Sequence, residues 1–278
     1  MTEPSLVPAP ASAPTSTGES ADDGTTAPVV FGSVAASVSA NLPTPQRVLA
    51  IGAHPDDIEF GCGATLAKWA AAGAVVNHLI CTDGSKGTWD AGQDPAELVM
   101  LRQHEQRAAA AALGATGEVV FLGWTDGELD SGLRQRWEVA YWIRRLRPDV
   151  VIGHDPWKRY RLHPDHRHAG LLTVEGIVAA RDPLFFPEQN LEHHRPSALL
   201  LYEADEADHV EDVTGFADTK LAALFAHASQ FRSTMKIDAA DDGGQRQRFV
   251  DRIVARLGQH GALKGFAQGE AFKLIDQL

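Results

Sequence analysis

The sequence predicts an α/β fold of Rossmann-like type, a mostly parallel sheet with helices on both faces. Two observations predict it. From Arg47 onward, short β-branched runs alternate with long helical patterns, which demands right-handed crossovers between parallel strands. The helical patterns are also punctuated as helices are, by Gly114 after an alanine run and by Pro148 after the next one.

In chain order, "RVLAIGA" at Arg47 reads as the first core strand, and "GATLAKWAAAGA" as the helix after it. "VVNHLICT", "VVFLGW", "DVVIGHDP" and "ALLLYEA" read as further strands. Between them lie the helical stretches "PAELVMLRQHEQRAAAAALGA", "LRQRWEVAYWIRRLRP" and "HPDHRHAGLLTVEGIVAAR". Two more helices, "FADTKLAALFAHASQF" and "RQRFVDRIVARLG", are expected to close the chain. Residues 1–44 are rich in Pro, Ser, Thr, Ala and Gly and read as a disordered extension. Within them only "VVFGSVAASVSA" is apolar enough to form a strand or pack locally. Residues 45–278 read as a single catalytic domain.

Composition narrows the function classes. A formal net charge of -12 argues against a general nucleic-acid binder. No apolar run has the length of a membrane span, and the first residues lack the basic start and apolar core of a secretory signal. The two cysteines, Cys62 and Cys81, make no disulfide framework. A cytoplasmic enzyme acting on a small molecule is the expectation, with homo-oligomerisation left open.

Chemistry concentrates in two turns. "AHPDD" follows the first core strand and supplies His54, Asp56 and Asp57; "HPDH" follows "DVVIGHDP" and supplies His163, Asp165 and His166. In open α/β sheets ligands sit outside the carboxyl ends of the strands, where both turns fall. Crowded titratable groups are costly there unless something binds them. One "HPDD" turn alone would serve as a helix N-cap. Capping needs no second histidine–acid cluster. Two histidines and one carboxylate suit a catalytic zinc, which keeps a position open for water. The same donor set describes the facial triad of a non-haem iron(II) oxygenase; the adjacent acid Asp56 and the parallel α/β pattern favour hydrolysis. An inactive metal-holding protein would lack a base, and Asp56 is present.

"AHPDDIEFGCGATLAKW", "LRQHEQRAAAAALGA", "VVFLGWTDGEL", "RPDVVIGHDP", "HPDHRHAG" and "KLAALFAHASQ" stand in an order that resembles the PIG-L/LmbE-like deacetylases. The resemblance runs from about Arg47 to the "HASQ" stretch. It implies that His54, Asp57 and His166 ligate the metal, zinc with iron(II) as the alternative. Asp56 would then be the general base, and His163 the protonated group facing the oxyanion, with Asp165 orienting His163 or holding its charge. It also implies removal of an N-acyl group, acetyl foremost, from an amino sugar or related amine, or a mycothiol-conjugate type of amide cleavage. Two departures stand out: Ile58 and then Glu59 follow "HPDD", and Tyr160 stands three places before His163 rather than two.

Weaker signals surround these turns. Arg102 matches the family's helix arginine, which points to substrate hydroxyls or phosphate; its alternative is a solvated helix face. Asp126 in "GWTDGEL" is either a sugar-binding acid or a plain turn residue. "TDGSKG", from Thr82 to Gly87, reads as a site-entrance loop or a simple Gly turn. His227 reads as structural, behind the site. "FGCGAT" lacks dinucleotide-loop spacing, and Cys62 reads as a small buried side chain.

Overall fold

The computed structural model describes residues 38–278. Their elements are β1 (Ser39–Ala40), β2 (Arg47–Gly52), α1 (Asp57–Ala71), β3 (Val75–Thr82), α2 (Pro95–Ala112), β4 (Val119–Trp124) and α3 (Leu133–Leu146). There follow β5 (Val150–His154), α4 (Pro164–Arg181), β6 (Ala198–Tyr202), β7 (His209–Asp212), α5 (Ala217–Phe225), α6 (Gly244–Ala262) and β8 (Gly269–Ile275). The strands form one 8-stranded sheet in the order β1-β7-β8-β6-β5-β2-β3-β4. All pairings are parallel except those of β8 with β6 and β7.

Strand β2 shows why the sheet is covered on both sides. Val48 and Ala50 join one core cluster with Ile58 and Trp69 of α1, Ala109 of α2 and Leu113 just after it. Leu49 and Ile51 join the other with Val139, Ile143, Leu172 and Ile177 of α3 and α4. Side chains alternate across a strand, so an unbroken apolar run fits only where both faces are buried. Each such aliphatic side chain contributes about 1.5–3 kcal/mol on burial. A third cluster joins α5 and α6 through Leu224, Phe249 and Leu257, with Phe60 packed against it.

Successive strands run outward from β2 in one direction through β3 and β4, and in the other through β5 and β6. The reversal between β2 and β5 is the switch point at which such sheets bind ligands. Both histidine–acid turns sit at it.

The expected strands and helices form, with three differences. The final element is β8 rather than a helix, and β7 precedes α5. Both strands carry buried acids that break an apolar pattern: Glu211, paired with Lys68 at 2.5 Å, and Glu270, paired with Lys220 at 2.6 Å. The helix expected to reach Phe231 ends at Phe225 and gives way to a 3-10 turn over Ala228–Gln230, as His227 becomes fully buried against Glu59. Ser39 and Ala40 pair with His209 and Val210, so an ordered edge begins before residue 45. Most of the expected extension, with much of "VVFGSVAASVSA", lies outside the described residues.

Helix α1 is broken at Cys62, which leaves helical geometry at φ -145. The amides of Ala64 and Thr65 are therefore free for the Glu270 carboxylate, at 3.1 and 2.7 Å, as at a helix N-terminus. Cys62 and Cys81 are both buried free thiols.

Candidate active site

The turn after β2 is set by a backbone that few residues adopt. Asp56 lies at φ 104, a left-handed conformation unusual for a residue with a Cβ. Its amide donates to Gln106 Oε1 at 3.0 Å, and the Gln106 amide nitrogen donates to Glu59 Oε1 at 2.7 Å. Glu59 in turn meets His227 Nε2 at 3.3 Å. A buried polar chain thus holds the turn from behind. The His54 amide donates to Asp57 Oδ2 at 2.7 Å and closes it.

Asp57 is the centre of the cluster. Its Oδ2 lies 3.3 Å from His54 Nδ1, and its Oδ1 lies 3.3 Å from His166 Nε2. His154 Nε2 also reaches Oδ2, at 3.3 Å. Burial alone would push the Asp57 carboxyl up, but the His166 and His154 imidazoles outweigh it and hold the carboxyl well below its ordinary value. Asp56 is the opposite case: burial pushes it up to about 6 against the pull of Arg102. Burial likewise pulls His166 down to about 4. His54 is held above its ordinary value despite burial, by hydrogen bonds to Asp126, Asp165 and Asp57.

Helix α4 brings the second turn close. A Cβ on Gly170 would lie 2.7 Å from the His154 carbonyl oxygen, so only glycine lets this helix approach the end of β5. His163 N-caps α4 and is exposed; its ring centre lies 4.6 Å from that of His54, edge-on. Asp165 is fully buried. Its Oδ2 accepts from His54 Nε2 at 3.0 Å and from the Gly127 amide at 2.6 Å, and Oδ1 accepts from the Leu129 amide at 3.2 Å. Asp165 therefore holds His54 by a hydrogen bond, whereas toward His163, where it was expected to orient the ring or hold its charge, it acts only through its charge. Side-chain direction on the first turn of α4 decides this.

Asp126 is also committed. Its Oδ1 lies 3.3 Å from His54 Nε2, and Oδ2 accepts the Lys86 amide at 3.1 Å. Arg102 is buried, not part of a solvated face; it donates to the carbonyls of Gly84 at 2.9 Å and Pro55 at 2.6 Å. It lies 3.7 Å from Asp56 Oδ1. Both residues brace the loops around the site, and both also line the cavity above it.

A cavity of about 470 Å³ opens over these residues, lined by His54, Asp56, Asp57, His163 and His166. Lys86 and Gly87 line it too, in line with a site-entrance loop. Three residues that sequence reasoning missed join it. His154 ends β5 and stacks on His166 with ring centres 4.5 Å apart. Tyr202 ends β6, and Glu203 follows it into the same cavity. Their one sequence signal was position at the carboxyl ends of core strands. Arg161 bridges to this group, with Nη1 at 3.0 Å from His166 Nδ1 and 2.7 Å from Glu203 Oε2.

Comparison with known proteins bears on this geometry. The family model described as "PIG-L: GlcNAc-PI de-N-acetylase" matches residues 49–177, which contain both turns. The diacetylchitobiose deacetylase of Thermococcus kodakarensis is 36% identical over 189 residues, 67% of this chain and 70% of that protein. The chain belongs to the PIG-L family. A 1D-myo-inositol 2-acetamido-2-deoxy-alpha-D-glucopyranoside deacetylase of Thermomonospora curvata is 35% identical over 165 residues, 50% of this chain and 55% of that PIG-L relative. The N,N'-diacetylchitobiose deacetylase structure from Pyrococcus horikoshii superposes with a TM-score of 0.74 at 29% identity, covering 84% of each chain. The PIG-L fold is not tied to one reaction: a 4-carboxy-2-hydroxymuconate hydratase from Pseudomonas putida shares it with a TM-score of 0.66 at 20% identity. Among the described residues no helix is long and apolar enough to cross a membrane.

Proposed function

We propose that this chain is a metal-dependent N-deacetylase of N-acetylated amino sugars, with His54, Asp57 and His166 as the metal ligands. The observation that carries the reading is the spacing around Asp57. Neighbouring ligand atoms of a tetrahedral site at about 2.0–2.1 Å from the metal lie roughly 3.3–3.4 Å apart. His54 Nδ1 stands 3.3 Å from Asp57 Oδ2 and His166 Nε2 stands 3.3 Å from Asp57 Oδ1, and the three residues offer ligand atoms within 4.8 Å of one another. His54 also has the support expected of a metal ligand, since its other nitrogen faces the Asp165 carboxylate at 3.0 Å. Other groupings of possible ligands exist, such as His54, Asp126, His163 and Asp165. In that group Asp165 already spends its oxygens on His54 and two backbone amides, so it suits support better than ligation.

A divalent metal held there, zinc or iron(II), would supply a hydroxide at neutral pH and polarise the amide carbonyl. Asp56, beside the ligand Asp57 and lining the cavity, takes the water's proton and delivers it to the departing amine. His163, exposed at the cavity edge, faces the tetrahedral oxygen. A metal on His166 Nε2 would require the ring proton at Nδ1, where Arg161 now donates. Arg161 would then have to leave that nitrogen and keep its bond to Glu203, at 2.7 Å.

The substrate class follows from the relatives' activities and from a cavity too large for an acetamide alone. We assign the catalytic domain to residues 45–278, with the Ser39–Ala40 strand added at the sheet edge. The test is acetate release from N-acetylglucosamine and diacetylchitobiose by the chain stripped with chelator and reloaded with zinc or iron(II). Release that returns with either metal supports the reading; no release from either sugar with either metal overturns it.

A further inference from the structure

We propose that a second cavity, beneath α6, is a subsite for an oxyanion on the substrate, held by Arg256 and His260. This rests on the deacetylase reading of the neighbouring cavity. The second cavity measures about 250 Å³ and shares Phe60, Glu203 and Arg256 with the larger one. A sugar whose amide lies over Asp57 would extend a substituent past Phe60 into it.

The charges of this cavity leave one sign unanswered. Its acids are neutralised inside the protein: Glu203 by Arg161 at 2.7 Å, and Glu270 by Lys220 at 2.6 Å. Lys158 is engaged with Asp205 at 3.1 Å. Arg256, by contrast, is exposed and has no hydrogen bond or ion pair among the described residues, and it lines both cavities. His260 lines the second cavity, and its Nδ1 is buried without a hydrogen-bond partner. Buried polar atoms rarely go unpaired, because each costs about 1–3 kcal/mol. A guanidinium fork and an imidazole N–H together match phosphate or carboxylate oxygens. Both residues lie on α6, beyond the 49–177 span of the family model that contains the two histidine–acid turns.

The experiment is calorimetric titration of the full chain with inorganic phosphate, in the parent, Arg256→Gln, His260→Ala and Asp57→Ala proteins. It is paired with kcat/KM on N-acetylglucosamine, its 1-phosphate and N-acetylmuramate. Phosphate is expected to bind the parent and Asp57→Ala, and to bind Arg256→Gln about 10-fold or more weakly. The parent should prefer one anionic sugar over the neutral one, with that ratio falling toward one in Arg256→Gln; whichever is preferred names phosphate or carboxylate. Phosphate binding lost in Asp57→Ala but kept in Arg256→Gln would overturn the subsite, as would a parent that binds no phosphate and shows no anionic preference. Should His260→Ala fail to fold, the exposed Arg256 position carries the test. Phosphate binding that depends on Arg256, with no sugar turned over, would keep the subsite and remove the deacetylase reading instead.

Discussion

Asp165 Oδ2 and His54 Nε2 stand 3.0 Å apart, and this contact ties together the two turns that carry the site. It runs from the start of α4 to the end of β2, across the switch point of the sheet. The Gly127 amide at 2.6 Å fixes the same oxygen from the loop after β4. One buried carboxylate thus aligns three loops. It leaves His54 Nδ1 facing Asp57.

Asp165→Asn should therefore weaken metal binding before it changes proton transfer. An amide in that place cannot offer the same charge to the imidazole, and supporting carboxylates of this kind are worth about 10–100-fold in metal affinity. Competition with a coloured chelator reads it. Affinity equal to that of the parent protein would remove Asp165 from the support of His54.

The backbone of Asp56 gives a second expectation. Its amide is held at 3.0 Å by Gln106, and the left-handed turn has no glycine to relax it. Gln106→Leu should cost roughly 1–3 kcal/mol of stability, the penalty for an unsatisfied buried amide and carboxylate. It should also lower kcat more than it raises KM. Urea unfolding with steady-state kinetics reads both, and a stable variant with parental kcat would contradict the positioning of Asp56.

Glu211, on β7 and three strands along the sheet from β5, sets a separate pH dependence. Burial would raise its carboxyl, but hydrogen bonds from His209 and Lys68 hold it below its ordinary value. A depressed carboxyl contributes stability above its unfolded value, and that contribution is lost as pH falls through the folded one. Glu211→Gln should thus cost roughly 1.5–3 kcal/mol at pH 7, with the gap to the parent narrowing below about pH 4. Unfolding curves at several pH values decide it; a gap that stays constant down to pH 3 would contradict it.

Much of the fold was legible because β2, β5 and β6 are apolar runs buried on both faces. Strands β7 and β8 were not, since Glu211 and Glu270 interrupt their patterns and find Lys68 and Lys220 only in the folded chain. The site divides in the same way. "HPDD" and "HPDH" announce themselves by concentrating donors at strand ends. His154, Tyr202 and Glu203 are single residues at other strand ends, brought in by the strand order. The hydrogen-bond partner of Asp165 was not legible: sequence proximity suggested His163, which the carboxylate reaches only through its charge. The first turn of α4 points the carboxylate at His54 instead.

The division of labour between adjacent acids is the centre of the account. Asp57 lies 3.3 Å from a nitrogen of each of the histidines proposed as ligands, His54 and His166, whereas Asp56 faces Arg102 at 3.7 Å. The most direct measurement is metal content per chain, by plasma mass spectrometry, of Asp56→Asn and Asp57→Ala after identical loading, with acetate release followed alongside. The account predicts that Asp57→Ala is stripped of metal. Asp56→Asn should keep about one metal per chain while turnover falls by about 10²–10⁴-fold. Asp56→Asn as metal-free as Asp57→Ala, or Asp57→Ala as fully loaded as the parent, would contradict it.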